Sequence, residues 1–285
     1  MQDVLSVALR ALSFVFLLQA TGVAFFVAIF GRPLGDSRGA IRRLGRWAAL
    51  LALACVAGHY ALEAARMSGE LSGIWDVSLQ RIVLSSSNGA AFILRILGLS
   101  VVAVALRGES TRSMIASVSG ATLVLAAFII TGHTTTHPER WFLGALLFVH
   151  VAVITFWFGG LLPLYWVSVR ERQATAAALI ESFSVWASWL VPLILLAGVV
   201  LMLRLVPGVE VFTQPYGELL LVKLGGFALL MGLASLNKWR LGPAIARGEL
   251  SALTAFRWSV ATEYTLIVGV LTATAVMTSL FSPDA

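Results

Sequence analysis

Apolar residues run almost without interruption in eight stretches of this chain, separated by short polar segments rich in arginine. The stretches are residues 4–30, 46–66, 89–106, 114–132, 141–166, 184–206, 216–236 and 258–281. Each holds about 20 residues, which as a helix rising ~1.5 Å per residue crosses ~30 Å of hydrocarbon. Their apolar positions are continuous rather than alternating, which disfavours membrane β-strands. The pattern predicts an all-α, polytopic membrane helix bundle of eight transmembrane helices, a single membrane domain over residues 1–285. The first stretch, Val4 to Phe30, has no small-residue cleavage site after a short apolar core, so it is expected to be a retained helix.

The polar segments orient this bundle. The first, third, fifth and seventh connections hold Arg32, Arg38, Arg42, Arg43, Arg46, Arg107, Arg112, Arg170, Arg172, Lys238, Arg240, Arg247 and Arg257, whereas the alternate side holds only Arg66, Arg81 and Arg140. Cytoplasmic loops are the ones enriched in Lys and Arg, so both termini are expected outside, N-out and C-out. Residues 67–88 form the longest external connection. There Ile74, Trp75, Leu79, Ile82 and Val83 recur at spacings of three and four, with Asp76, Gln80 and Arg81 between them. This predicts a short amphipathic helix at the outer interface, in contact with lipid.

Composition agrees. At 59% hydrophobic and 12% charged residues, no soluble fold of this length hides its apolar surface. The net charge of +6 belongs to the loops and is not read as a nucleic-acid surface. A single cysteine, Cys55, excludes an internal disulfide.

Ionisable residues inside a membrane are costly and mark functional sites by default. Arg95, Lys223, Glu63, His59 and His150 all fall in the outer halves of their spans, and Glu263 lies toward the inner end of the last. His59 and His150 match in depth to within about a turn, so they are expected to face one another across one site. Cys55, His59, Glu63 and Met67 recur every four residues along one face of span two. Imidazole suits copper generally, and thiol and thioether suit Cu(I). His133 and His137 sit above, at the external surface, where Pro138 biases His137 away from helical geometry. Each residue taken alone has a plainer reading, Cys55 and Met67 as packing residues and a membrane histidine as a helix–helix hydrogen bond. Their convergence on one half of the bilayer is what points to a site.

At these residues the chain resembles the copper resistance protein D (CopD) family of bacterial inner-membrane proteins. The likeness is carried by Asn88-Gly89 through Arg95, Gly132-His133, and His150 followed by Trp157-Phe158-Gly159-Gly160-Leu161. It is most evident over 131–283, in Tyr216-Gly217, Lys223, Asn237, Arg240-Leu241, Pro243, Glu263, Leu280 and Pro283. The resemblance implies a multi-pass protein of the inner (plasma) membrane that handles copper, commonly as uptake, beside a periplasmic copper-binding partner of the CopC type. This chain is expected to carry no fused periplasmic domain and no Met-rich or His-rich external segment, so that partner is expected to be a separate chain.

Two schemes follow. In the first the protein is a copper transporter rather than an enzyme. His133 and His137 receive Cu(I) or Cu(II), His59 and His150 hold it with Cys55 and Met67 nearby, and Glu63 orients His59. Arg95 and Lys223 sit uneasily beside a cation unless carboxylates neutralise them, and only Glu263 marks an inward path. In the alternative, His59 and His150 are axial ligands of a b-type haem whose propionates pair with Arg95 and Lys223. The protein is then a membrane electron carrier that reduces Cu(II).

Overall fold

The computed structural model describes residues 2–132, 135–206 and 208–281, with Gln2 by its backbone alone. Its helices are α1 (Gln2–Phe30), α2 (Arg38–Ser68), α3 (Val77–Ser85), α4 (Ser87–Ala105), α5 (Thr111–Ala126), α6 (Arg140–Arg170), α7 (Gln173–Leu205), α8 (Pro215–Leu236), α9 (Gly242–Ala246) and α10 (Leu250–Leu280). Short 3-10 turns at Leu71–Trp75 and Val209–Thr213 precede α3 and α8, and a π-turn at Asn237–Leu241 joins α8 to α9. No strand occurs among the described residues.

Among the described residues seven helices are long and apolar enough to cross a membrane: α1, α2, α4, α6, α7, α8 continued through α9, and α10. The fourth apolar stretch is α5, whose 16 residues reach about 24 Å, short of ~30 Å of hydrocarbon. Past Ala126 the chain tightens into turns, with Phe128 N–H donating to Leu125 O and Ile129 N–H to Ala126 O.

Alternate connections gather at two ends of the bundle. At one end the Glu171 carboxylate, between α6 and α7, accepts from the backbone N–H of Gly35 (3.0 Å) and Ser37 (2.9 Å) and from the Ser37 hydroxyl, all between α1 and α2. Arg42 Nε donates to Leu106 O at the end of α4 (3.1 Å), and Arg257 of α10 reaches Ser168 of α6. This is the basic end. At the other, Arg66 meets Asp3 (3.6 Å), Arg10 donates to Thr278 O (3.0 Å), and Arg204 pairs with Glu139 (2.9 Å).

Helix α1 is the centre, packed on α2, α4, α5, α6 and α10. Eight consecutive residues, Leu17 to Ala24, are buried, so no face of this segment meets lipid. The tightest crossing is with α6. A Cβ on Gly22 would lie on Thr155 O and 2.5 Å from the Gly159 Cα, so the two backbones touch. Small residues permit such contact in membranes, where helices gain little from the hydrophobic effect. Pro163 lies inside α6 and has no N–H for the carbonyl four residues earlier, that of Gly159. The buried Gln19 of α1 supplies the missing donor, its Nε2 lying 3.1 Å from Gly159 O. The neighbouring Gly160 accepts the Phe183 ring of α7, and Phe183 stacks on Phe156 at 4.9 Å.

Two outcomes are expected. Gln19→Leu orphans a buried carbonyl and lowers stability by about 1–3 kcal/mol. In a Pro163→Ala background α6 can bond its own carbonyl, so the same change costs much less. Thermal unfolding of the four variants in detergent measures the coupling. The second concerns Glu171, which lies outside the spans. Burial pushes its carboxyl up, but the bonds from Ser37 and Gly35 outweigh that and hold it below the ordinary value. Its contribution is therefore complete above the usual carboxylate pKa and is lost as pH falls through the lowered folded value. A stability–pH profile should show this acid limb in the wild type and lack it in Glu171→Gln.

Candidate functional site

The polar residues of the membrane half opposite the basic end form two clusters, not one. The first lies between α1, α2 and α4. His59 Nε2 is 3.8 Å from the Glu63 carboxylate one turn along α2, and Arg66 lies 3.6 Å from the same oxygen. Arg10 of α1 and Arg95 of α4 act on the imidazole electrostatically, as does Arg66. Arg95 has no carboxylate within ion-pairing distance among the described residues. Its guanidinium lies over the Phe128 ring at 5.0 Å, and its Nε has no hydrogen-bond partner there. His59 Nε2 is buried and likewise makes no hydrogen bond. Tyr60, beside it, stacks on Phe92 at 4.0 Å and donates to Gln80 O. Arg66 thus serves both Glu63 and Asp3, and Arg10 feels the charge of Glu63.

The second cluster lies between α6 and α7. His150 Nδ1 is 3.3 Å from Ile194 O on α7. The carbonyl can only accept, so this contact makes Nδ1 the protonated nitrogen and leaves Nε2 with its lone pair free. Metal-ligating histidines are commonly held this way, by a backbone carbonyl on the other ring nitrogen. Gly198 of α7 lies beside the ring, where a Cβ would be 3.4 Å from His150 Cε1, an ordinary contact. Lys223 of α8 supplies the nearby positive charge.

The two histidines share none of these partners. His59 meets groups of α1, α2 and α4, whereas His150 meets a carbonyl of α7 and the charge of Lys223 on α8. A bis-histidine haem needs both imidazoles on one site, and this arrangement lends that scheme no support. The remaining predicted ligands are dispersed. Cys55 is buried, whereas Met67, at the far end of the same stripe, is 54% exposed. His137 Nδ1 accepts from the backbone N–H of Glu139 (3.1 Å), a turn that leads into α6 and occupies that lone pair. His133 lies outside the described residues. Among the described residues no three His, Cys, Asp or Glu converge as a metal cage.

Glu263 stands apart, on α10. Its carboxylate is 2% exposed and accepts from Trp157 Nε1 of α6 (3.0 Å) and from Asn237 Nδ2 (2.5 Å), where the π-turn begins. Sequence reasoning named all three residues but did not join them. The signal was available: Trp and Asn are the neutral donors that a buried carboxylate needs when no cation is near.

With the geometry in place, comparison with known proteins is decisive for family. The sequence model for the copper resistance protein D-like N-terminal domain matches residues 1–139, and that for copper resistance protein D matches residues 177–277. A copper resistance protein D from Pseudomonas syringae pv. tomato is 30% identical over 295 residues, covering 95% of this chain and 94% of that protein. The chain belongs to the copper resistance protein D family. The copper transport protein CutJ of Bacillus subtilis is 28% identical over 166 residues, 56% of this chain and 29% of that longer protein. No solved structure matches the chain. Family membership ties the protein to copper handling in a membrane; haem finds no support in it.

The first cluster makes a stability prediction. Glu63→Gln leaves Arg10 and Arg66 facing one another with only Asp3 nearby, and should cost about 1–3 kcal/mol. Adding Arg66→Gln should recover part of that loss, which a double-mutant thermal cycle measures.

Proposed function

We propose that the protein carries copper inward across a bacterial inner membrane. It takes the ion at the periplasmic face and holds it in transit in the outer half of the bundle. In this reading the bundle has eight spans with α5 and its following turns as the fourth. The basic end is cytoplasmic and both termini are periplasmic, as the bias of Lys and Arg requires. Residues 67–88, including α3, then lie at the periplasmic interface.

The observation that carries the reading is His150. Its Nδ1 is engaged by Ile194 O, so Nε2 is presented as a ready ligand on α6. His59, with Glu63 one turn away, is the second nitrogen ligand, and Cys55 on the same α2 face offers a soft sulfur. His133 and His137 serve as the periplasmic entry, and Met67, exposed at the end of the α2 stripe, lies on the same route. Few ligands at each stop suit a transported ion, since a site that conducts must release what it binds. A separate periplasmic copper-binding protein of the CopC type delivers the ion. Copper resistance and copper transport are the roles that the names of the two relatives state.

Copper uptake into proteoliposomes tests this. His150→Ala should reduce the rate at least tenfold, while His137→Ala, at the entry, should raise the copper concentration needed for half-maximal uptake. Uptake that is unchanged in His150→Ala removes that residue from the mechanism. An empty-vesicle rate in the wild type removes transport altogether.

A further inference from the structure

Copper binding uses none of the polar groups at the other end of the bundle. There a cavity of about 420 Å³ opens between α6, α7, the α8–α9 junction and α10. Trp157, Glu181, Ser184, Asn237, Lys238 and Glu263 face it, and its other walls are largely apolar. At ~30 Å³ per water it has room for several. No His, Cys or Met lines it, so it lacks the nitrogen and sulfur donors that favour copper.

Glu263 is the group this cavity is built around. Its two partners are neutral, and no cation pairs with it among the described residues. Lys238, the one cation on the cavity, gives its ammonium to Ser188 Oγ at 2.6 Å. Glu181 of α7 is the other charged group there. Helix α1 has no charged residue beyond Arg10, and α6 has no ionisable group between His150 and Tyr165. On α8, Glu218 and Lys223 lie toward the opposite end, and α9 has none. On α10 itself, Arg257 is bound to Ser168 and the Tyr264 ring stacks on Phe158. Asn237 can serve the carboxyl in either state. Its Nδ2 donates to the carboxylate, and its Oδ1, buried without a partner, can accept from the carboxylic acid after the amide rotates. The π-turn that starts at Asn237 is a distortion often found at functional positions.

We propose that Glu263 is a proton-binding site, loaded and unloaded through this cavity, and that its protonation gates copper movement; the gating half rests on the transport reading above. The step is a single O–H bond made or broken at a Glu263 oxygen, the proton coming from cavity water and returning to it. No electron moves.

Infrared titration of the purified, copper-free protein tests the site independently of transport. A carboxylic-acid C=O band should rise and fall with pH in the wild type and be lost in Glu263→Gln. Trp157→Phe, which keeps the carboxyl but removes one donor, should shift its midpoint. A titrating band that is unchanged in Glu263→Gln, or absent from the wild type, overturns the site. Gating is read in proteoliposomes by varying pH on the cavity side. Wild-type uptake should depend on it, and Glu263→Gln should lose that dependence while remaining folded by thermal unfolding. An unchanged pH profile in that variant overturns gating. A wild type that moves no copper overturns both the transport reading and gating, while the infrared band alone still decides the proton site.

Discussion

A carbonyl that its own helix cannot satisfy sets the arrangement of this bundle. Pro163 removes the donor for Gly159 O, and in hydrocarbon no water replaces it, so a side chain from a neighbour must. Gln19 reaches it only because Gly22 and Gly159 let α1 and α6 touch backbone to backbone. Gly160, the next residue, takes the Phe183 ring and thereby places α7. Two adjacent glycines and a proline thus fix three helices. Both polar sites of α6 inherit their positions from that crossing. Trp157, two residues before Gly159, is aimed at Glu263, and His150, nine before, is held against α7 toward the other end.

The membrane tolerates its ionisable residues here by three different means. Around His59, charges compensate one another, with Glu63 serving an arginine and a histidine at once. At His150 a backbone carbonyl engages one ring nitrogen, and the group needs no counter-charge to be satisfied. At Glu263 two neutral donors do the work without any cation. These are distinct chemical environments: an ion-pair network, a fixed tautomer and a carboxyl free to change charge.

The helical class and the grouping of alternate connections were legible from the chain, because apolar length and the placement of arginines report directly on the bilayer. The contacts of Arg42 with Leu106 and of Glu171 with Ser37 join connections that the arginine count had assigned to one side. Rise per residue puts His59 and His150 at similar expected depths but is silent on azimuth. Two histidines in matching spans can face each other or different neighbours, and here their partners lie on different helices. The fourth apolar stretch was drawn to residue 132, but α-helical hydrogen bonding ends near Ala126, where turns take over. The partnership of Glu263 with Trp157 and Asn237 joins residues 106 and 26 positions apart, and no periodicity connects them.

Charge separates the two outer clusters in what they can hold. Like charges about 4 Å apart repel by ~1 kcal/mol in water and by ~4 kcal/mol at an effective dielectric constant of 20. Three guanidiniums act on His59, against the carboxylates of Glu63 and Asp3. A copper ion there meets a net positive surround, and a tight resting site is disfavoured. His150 meets a single ammonium, that of Lys223, and its hydrogen bond already selects the tautomer that leaves Nε2 unprotonated. The difference assigns the two clusters unequal parts. The network on α1, α2 and α4 holds the first helix to its neighbours, whereas the α6–α7 contact leaves an imidazole nitrogen with its lone pair free.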